Sequence, residues 1–131
     1  MENQNNKFMP DKELLLRDLC ARLPYGVKVQ YNDEIYDIDY VSAQYEEVKL
    51  DFADNYNVGI SEIKPYLRPM SSMTKEERNE FDEYTFEVIS FFGQAVEAGQ
   101  LTDWLNARHF DYRGLIPMGL ALEAPENMYK N

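Results

Sequence analysis

Residues 26–67, GVKVQYNDEIYDIDYVSAQYEEVKLDFADNYNVGISEIKPYL, decide the fold, because here the spacing of apolar side chains becomes two. Val27, Val29 and Tyr31 share one face of an extended segment, and Asn32, Asp33 and Glu34 supply a turn. Tyr36, Ile38 and Tyr40 then alternate with Asp37 and Asp39. Val48, Leu50 and Phe52 alternate in the same way with Glu47, Lys49 and Asp51. Turn-forming residues at 53–57 precede a short fourth strand at Val58 and Ile60, which is expected to stop at Pro65. Short strands with one apolar and one charged face predict a small antiparallel sheet or an SH3-like barrel.

Helical spacing flanks this run on both sides. Upstream, Leu15, Leu19 and Ala21 or Leu23 recur at turn spacing behind Asp11 as N-cap, and Pro24 with Gly26 ends a helix over about 12–22. The Asn- and Gln-rich residues before it give a flexible N-terminus over 1–10. Downstream, Thr74 and Glu77 form a capping box, and Phe81, Tyr84, Val88 and Phe91 follow at helical steps to at least 92. The aromatic and β-branched run YTFEVISFF, 84–92, also suits a strand. A further helix over 101–108 has Thr102 as its cap, and 109–131, rich in Gly and Pro, reads as a docked tail.

The expectation is therefore one α+β domain over 11–131, strand-rich over 26–64 and mainly helical over 74–108. It has an N-terminal helix, a small sheet, and C-terminal helices packed against that sheet. Its core should hold Tyr31, Tyr36, Ile38, Val48, Leu50, Phe52, Phe81, Val88, Trp104 and Leu105. A length of 131 residues with 44% hydrophobic side chains suffices for one core without staples.

Cys20 is the chain's single cysteine, which leaves no internal disulfide and fits a reducing, cytoplasmic setting; its ordinary place is a buried one. No apolar run reaches the ~18 residues of a membrane span, and the first residues lack the hydrophobic stretch of a signal peptide. Acidic side chains outnumber basic ones 24 to 13, and the net charge of −11 argues against direct nucleic-acid binding. Eight of the acids lie between Asp33 and Asp54, where Lys49 is the one base.

His109, Asp111, Tyr112 and Arg113 form the most suggestive cluster of reactive groups. Near-consecutive positions point in different directions, whereas a nucleophile, base and orienting group must converge to within about 3 Å. No nucleophile elbow, phosphate-binding glycine loop or calcium loop is present, and one histidine with one cysteine cannot make a zinc site without carboxylates at ligand spacing. No catalytic residue, metal or cofactor is assigned. The candidate contact surface is the acidic sheet face of Asp37, Asp39, Glu47 and Asp51, suited to a protein partner with a basic surface. Tyr66, Arg68, Tyr112 and Arg113 form a second candidate surface. A ligand or enzyme site around His109 and Arg113 is the alternative.

Two resemblances add to this reading. Residues 26–67 resemble an SH3-like or Tudor-like barrel, in which a last short strand leads into a one-turn helix ending in proline. LLLRDLCARLPYGVKV (14–29), IKPYLRPMSSMT (63–74) and DWLNARHFDYRGLIPMGLALEAP (103–125) together resemble a small-protein family of gut Bacteroidales genomes, prophages and mobile elements. That resemblance implies a bacterial or phage cytoplasmic origin and brings no activity with it. With the acidic charge, it implies an inhibitor of a host defence or nucleic-acid-handling protein.

Overall fold

The computed structural model describes residues 10–51, 57–90 and 95–129, with backbone alone at 87–90 and 95–98. It is an α+β fold. Helix α1 (Asp11–Arg22) leads through a 3-10 turn into β1 (Lys28–Tyr31), β2 (Glu34–Ser42), β3 (Glu47–Leu50) and β4 (Asn57–Gly59). A second 3-10 turn, Ile60–Glu62, precedes β5 (Lys64–Leu67) and a third, Met70–Ser72, follows it; helices α2 (Lys75–Ser90) and α3 (Ala95–Ala107) and the short β6 (Leu122–Glu123) complete the order. The six strands form one sheet in the order β4-β3-β2-β1-β5-β6, antiparallel except for the β5–β6 pair.

Local chemistry explains most of these elements. Asn32 and Asp33 take φ of 50° and 65° at the β1–β2 turn, a left-handed conformation that short polar side chains tolerate and that matches the twist of a tight hairpin. Gly26, at φ 75°, supplies the same conformation where the turn after α1 enters β1. Thr74 Oγ1 accepts the Glu77 N–H at 3.1 Å while Glu77 Oε1 accepts the Thr74 N–H at 3.0 Å, so the capping box starts α2.

Where the structure departs from the expectation, longer-range packing decides. Residues 84–90 are helical, because Phe81 and Tyr84 pack against Trp104 as one helical stripe. A bulge between Ile38 and Tyr40 reverses the alternation of β2, sending Tyr40 outward at 46% exposure and Val41 inward opposite Val48. Pro65 does not stop a strand; it lies within β5 opposite Val29, and β6 joins β5 only from Tyr66, so no ladder bond is lost there. Helix α3 begins at Ala95, which places Thr102 inside it instead of at its cap. Helix α1 has Pro10 at its N-cap, with Asp11 in the first turn. Cys20 is exposed, since Leu15, Asp18, Leu19 and Arg22 occupy the inward face of α1.

Two apolar clusters result. The larger joins α1 to the inner sheet face through Leu15, Leu19, Val29, Val48, Leu50 and Leu67, with Tyr31, Tyr36 and Ile38 packed at its margin. The smaller joins α3 to α2 through Trp104, Leu105, Phe110 and Phe81. Phe52 and the Val88 side chain lie outside the described residues, as does the start of the chain through residue 9.

Candidate functional site

The His109 segment leaves α3 and immediately crosses the core. His109 has φ 63°, its ring lies 3.8 Å from that of Tyr129 at 21°, and it hydrogen-bonds the backbone of Tyr25. Burial, reinforced by the charge of Arg22, lowers its pKa from 6.5 to about 4, so the imidazole is neutral at pH 7. Its Nδ1 is buried and finds no hydrogen-bond partner among the described residues. The neighbours turn elsewhere. The Asp111 carboxylate accepts the N–H groups of Leu115 and Ile116 at 2.8 and 2.9 Å, and Tyr112 Oη donates to Asn106 Oδ1 at 2.9 Å. The four side chains hold the tail; they do not converge on a reacting point.

Arg113 instead reaches α1. Its Nη1 donates to Asp18 Oδ1 at 2.7 Å, and Asp18 already receives Arg22 Nε at 2.8 Å and Arg22 Nη2 at 3.1 Å. Asp18 and Arg22 are both fully buried, and Arg22 Nη2 also donates to the Phe110 carbonyl at 2.7 Å. The Tyr112 ring lies 5.3 Å from the Arg22 guanidinium and 4.7 Å from that of Arg113. One buried carboxylate therefore clamps α1 to the tail. The Asp18–Arg22 pair sits at helical i,i+4 spacing within RDLCAR, a signal present in the sequence but not weighed there; its third member, 95 positions away, had none.

The second candidate surface is largely committed to the fold. Arg68 forms a two-pronged bond to Glu77 at 2.9 and 2.7 Å and stacks 4.2 Å from Phe110, and this bond holds the Glu77 carboxyl below its usual range. The Tyr66 carbonyl accepts the Tyr129 hydroxyl at 2.7 Å, and that hydroxyl also accepts the Lys28 N–H at 2.9 Å. Burial raises the Tyr129 pKa, keeping the phenol protonated at this bridge between β1 and β5.

Of the first candidate surface, Asp37, Asp39 and Asp51 are exposed and Glu47 is half-buried. Asp37, Asp39, Glu47 and Asp51 project from the sheet face opposite the core, between inward residues such as Val48 and Leu50. Lys28 Nζ meets Asp37 at 2.8 Å and Lys49 Nζ meets Asp39 at 3.2 Å, so two lysines relieve the repulsion between neighbouring acids. Glu47 accepts from Asn57 at 3.2 Å, and Tyr40 Oη donates to the same asparagine at 3.2 Å. Ile35 and Tyr40 in β2 are 50% and 46% exposed, and Tyr45 in the β2–β3 turn is 68% exposed.

Away from the sheet, two adjoining hollows of about 390 and 520 Å3 meet at Tyr84, Gln100, Trp104 and Arg108 between α2 and α3. Neither includes His109 or Arg113. Among the described residues no cluster of three or more His, Cys, Asp or Glu side chains is placed to hold a metal ion, and no helix is long and apolar enough to cross a membrane. Comparison with known proteins finds no matching family model, curated protein or solved structure.

Proposed function

We propose that this protein is a non-enzymatic, cytoplasmic interaction module that docks a protein partner with a basic surface on the outer face of its sheet. The observation that carries this reading is the make-up of that face: Asp37, Asp39, Glu47 and Asp51 share it with exposed Ile35 and Tyr40, and exposed Tyr45 stands in the adjoining β2–β3 turn. Carboxylates steer a cationic partner toward the face, and tyrosines and isoleucine give it contact area once it arrives. The finer reading, an inhibitor of a host defence or nucleic-acid-handling protein encoded by a phage or mobile element, draws on the motif resemblance and the net charge of −11. The engagement of His109, Asp111 and Arg113 in separate structural contacts weighs against the alternative enzyme or ligand site.

The test is parallel affinity capture from the native host with the wild-type chain and with Asp37, Asp39, Glu47 and Asp51 replaced by Asn or Gln, read by mass spectrometry. A basic protein retained by the wild type and lost from the substituted chain is the expected result. Equal retention by both removes this face as the contact surface.

A further inference from the structure

The hollows between α2 and α3 contain a cation already seated on an aromatic ring. The Arg108 guanidinium lies 4.4 Å from the Trp104 ring centroid and 3.5 Å from Glu80 Oε1, the same carboxylate oxygen that accepts Trp104 Nε1–H at 3.1 Å. Tyr84 stands 6.2 Å from Trp104 at 51°, so the two rings form a corner. Glu83 lines one hollow and Asp103 the other, and Tyr25 also lines the second. Both carboxylates are exposed, and among the described residues neither has an ion-pair partner. Glu80, Glu83 and Asp103 thus face one arginine, which leaves an excess of negative charge around aromatic walls.

We infer that this cleft is a receptor for an arginine side chain of the basic partner, an inference that rests on the interaction-module reading above. The chain's own Arg108 shows that a flat guanidinium fits between indole and carboxylate here. A second one finds Glu83 or Asp103 for its fork and the Tyr84 or Tyr25 ring for its plane. Arginine suits such a site better than lysine, because its planar donor fork stacks on rings and pairs with carboxylates at once. The cleft then anchors a residue of the partner, while the sheet face governs its approach.

Trp104 is the chain's one tryptophan, so its indole N–H gives a single, unambiguous NMR signal in the cleft. We would titrate the full-length protein with N-acetyl-arginine amide and, separately, with the lysine and glutamine counterparts. The expected result is a saturable shift of that signal with the arginine compound, with a dissociation constant on the order of millimolar. Exchanging Glu83→Gln with Asp103→Asn should weaken the response about tenfold, and both sites are exposed enough to leave the fold intact. The four sheet-face substitutions should leave it unchanged. Absence of any shift, an equal shift with the lysine compound, or indifference to Glu83 and Asp103 would overturn the assignment. Because the probe is a single amino acid, those outcomes leave the sheet-face reading to its own capture experiment.

Discussion

Acidification from pH 7 to pH 5 should destabilise the fold through His109. Its pKa falls from 6.5 to about 4 on folding, so between those values the unfolded chain binds the proton that the native chain refuses. A depressed histidine pKa therefore gives stability that is complete above pH 6.5 and drains away as the pH falls toward 4. Linkage over that interval predicts a loss of about 2 kcal/mol by pH 5 and about 3 kcal/mol by pH 4. Against a total of roughly 5 to 15 kcal/mol for a domain of ordinary stability, this is a large share. The chain has one histidine, and the lowered pKa of Glu77 withdraws stability only as the pH falls through its ordinary value of 4.5, so the pH 7 to 5 interval reports mainly on His109. Urea unfolding followed by circular dichroism across the pH series measures it. His109→Asn is the control: asparagine accepts the left-handed backbone at φ 63° and does not titrate, so it should lower stability overall yet flatten the slope. Equal slopes for the two proteins, or an NMR titration of His109 centred near 6.5, would refute the reasoning.

Three further expectations concern the packing and the candidate face. Asp18→Ala leaves Arg22 charged and buried without its carboxylate and should cost about 3 to 5 kcal/mol in urea unfolding, whereas Arg113→Ala, at the half-exposed end, should cost about 1 to 2 kcal/mol. Trp104→Ala should cost about 3 to 5 kcal/mol by opening the smaller cluster, and an unchanged melting curve would take Trp104 out of the core. The fourfold Asn/Gln exchange on the sheet face should slow partner association by about an order of magnitude in rapid mixing at low salt. It should shift stability by less than about 1 kcal/mol, because among the described residues only Asp37 and Asp39 of the four have lysine partners to lose.

Features set by neighbouring residues were readable in the chain. The Asn32–Asp33 turn, the Thr74–Glu77 box and the burial of Val48 and Leu50 follow from side chains within a few positions of one another. Features requiring a distant partner were not. The bulge at Asp39 registers only against Leu50 and Lys49, and α3 runs back through Gly99 because helix formers such as Ala95 and Ala98 offset the cost of about 1 kcal/mol that glycine carries. Burial of Ile60, Ile63, Leu67 and Leu115 depended on where α1 and the tail dock. The acidic face was visible as alternation, but its relief by Lys28 and Lys49 needed the register of three strands. In the α2–α3 cleft the Trp104–Arg108 pair, four positions apart, is a local signature, but Glu80 joins it only when the helices pack.

On the proposed reading the acids have two roles that differ in their response to salt. Asp18 binds its two arginines in the interior, and Glu77 grips Arg68 where both are mostly covered, so ions in solution reach these pairs poorly. Asp37, Asp39, Glu47 and Asp51 act through water, where the screening length falls from about 10 Å at 0.1 M to about 3 Å at 1 M. Raising salt over that range should therefore leave the unfolding free energy nearly level while association with a basic partner slows steeply. A parallel fall in both would mean that the surface acids sustain the fold itself, and the sheet face would then lose its claim as a surface set aside for recognition.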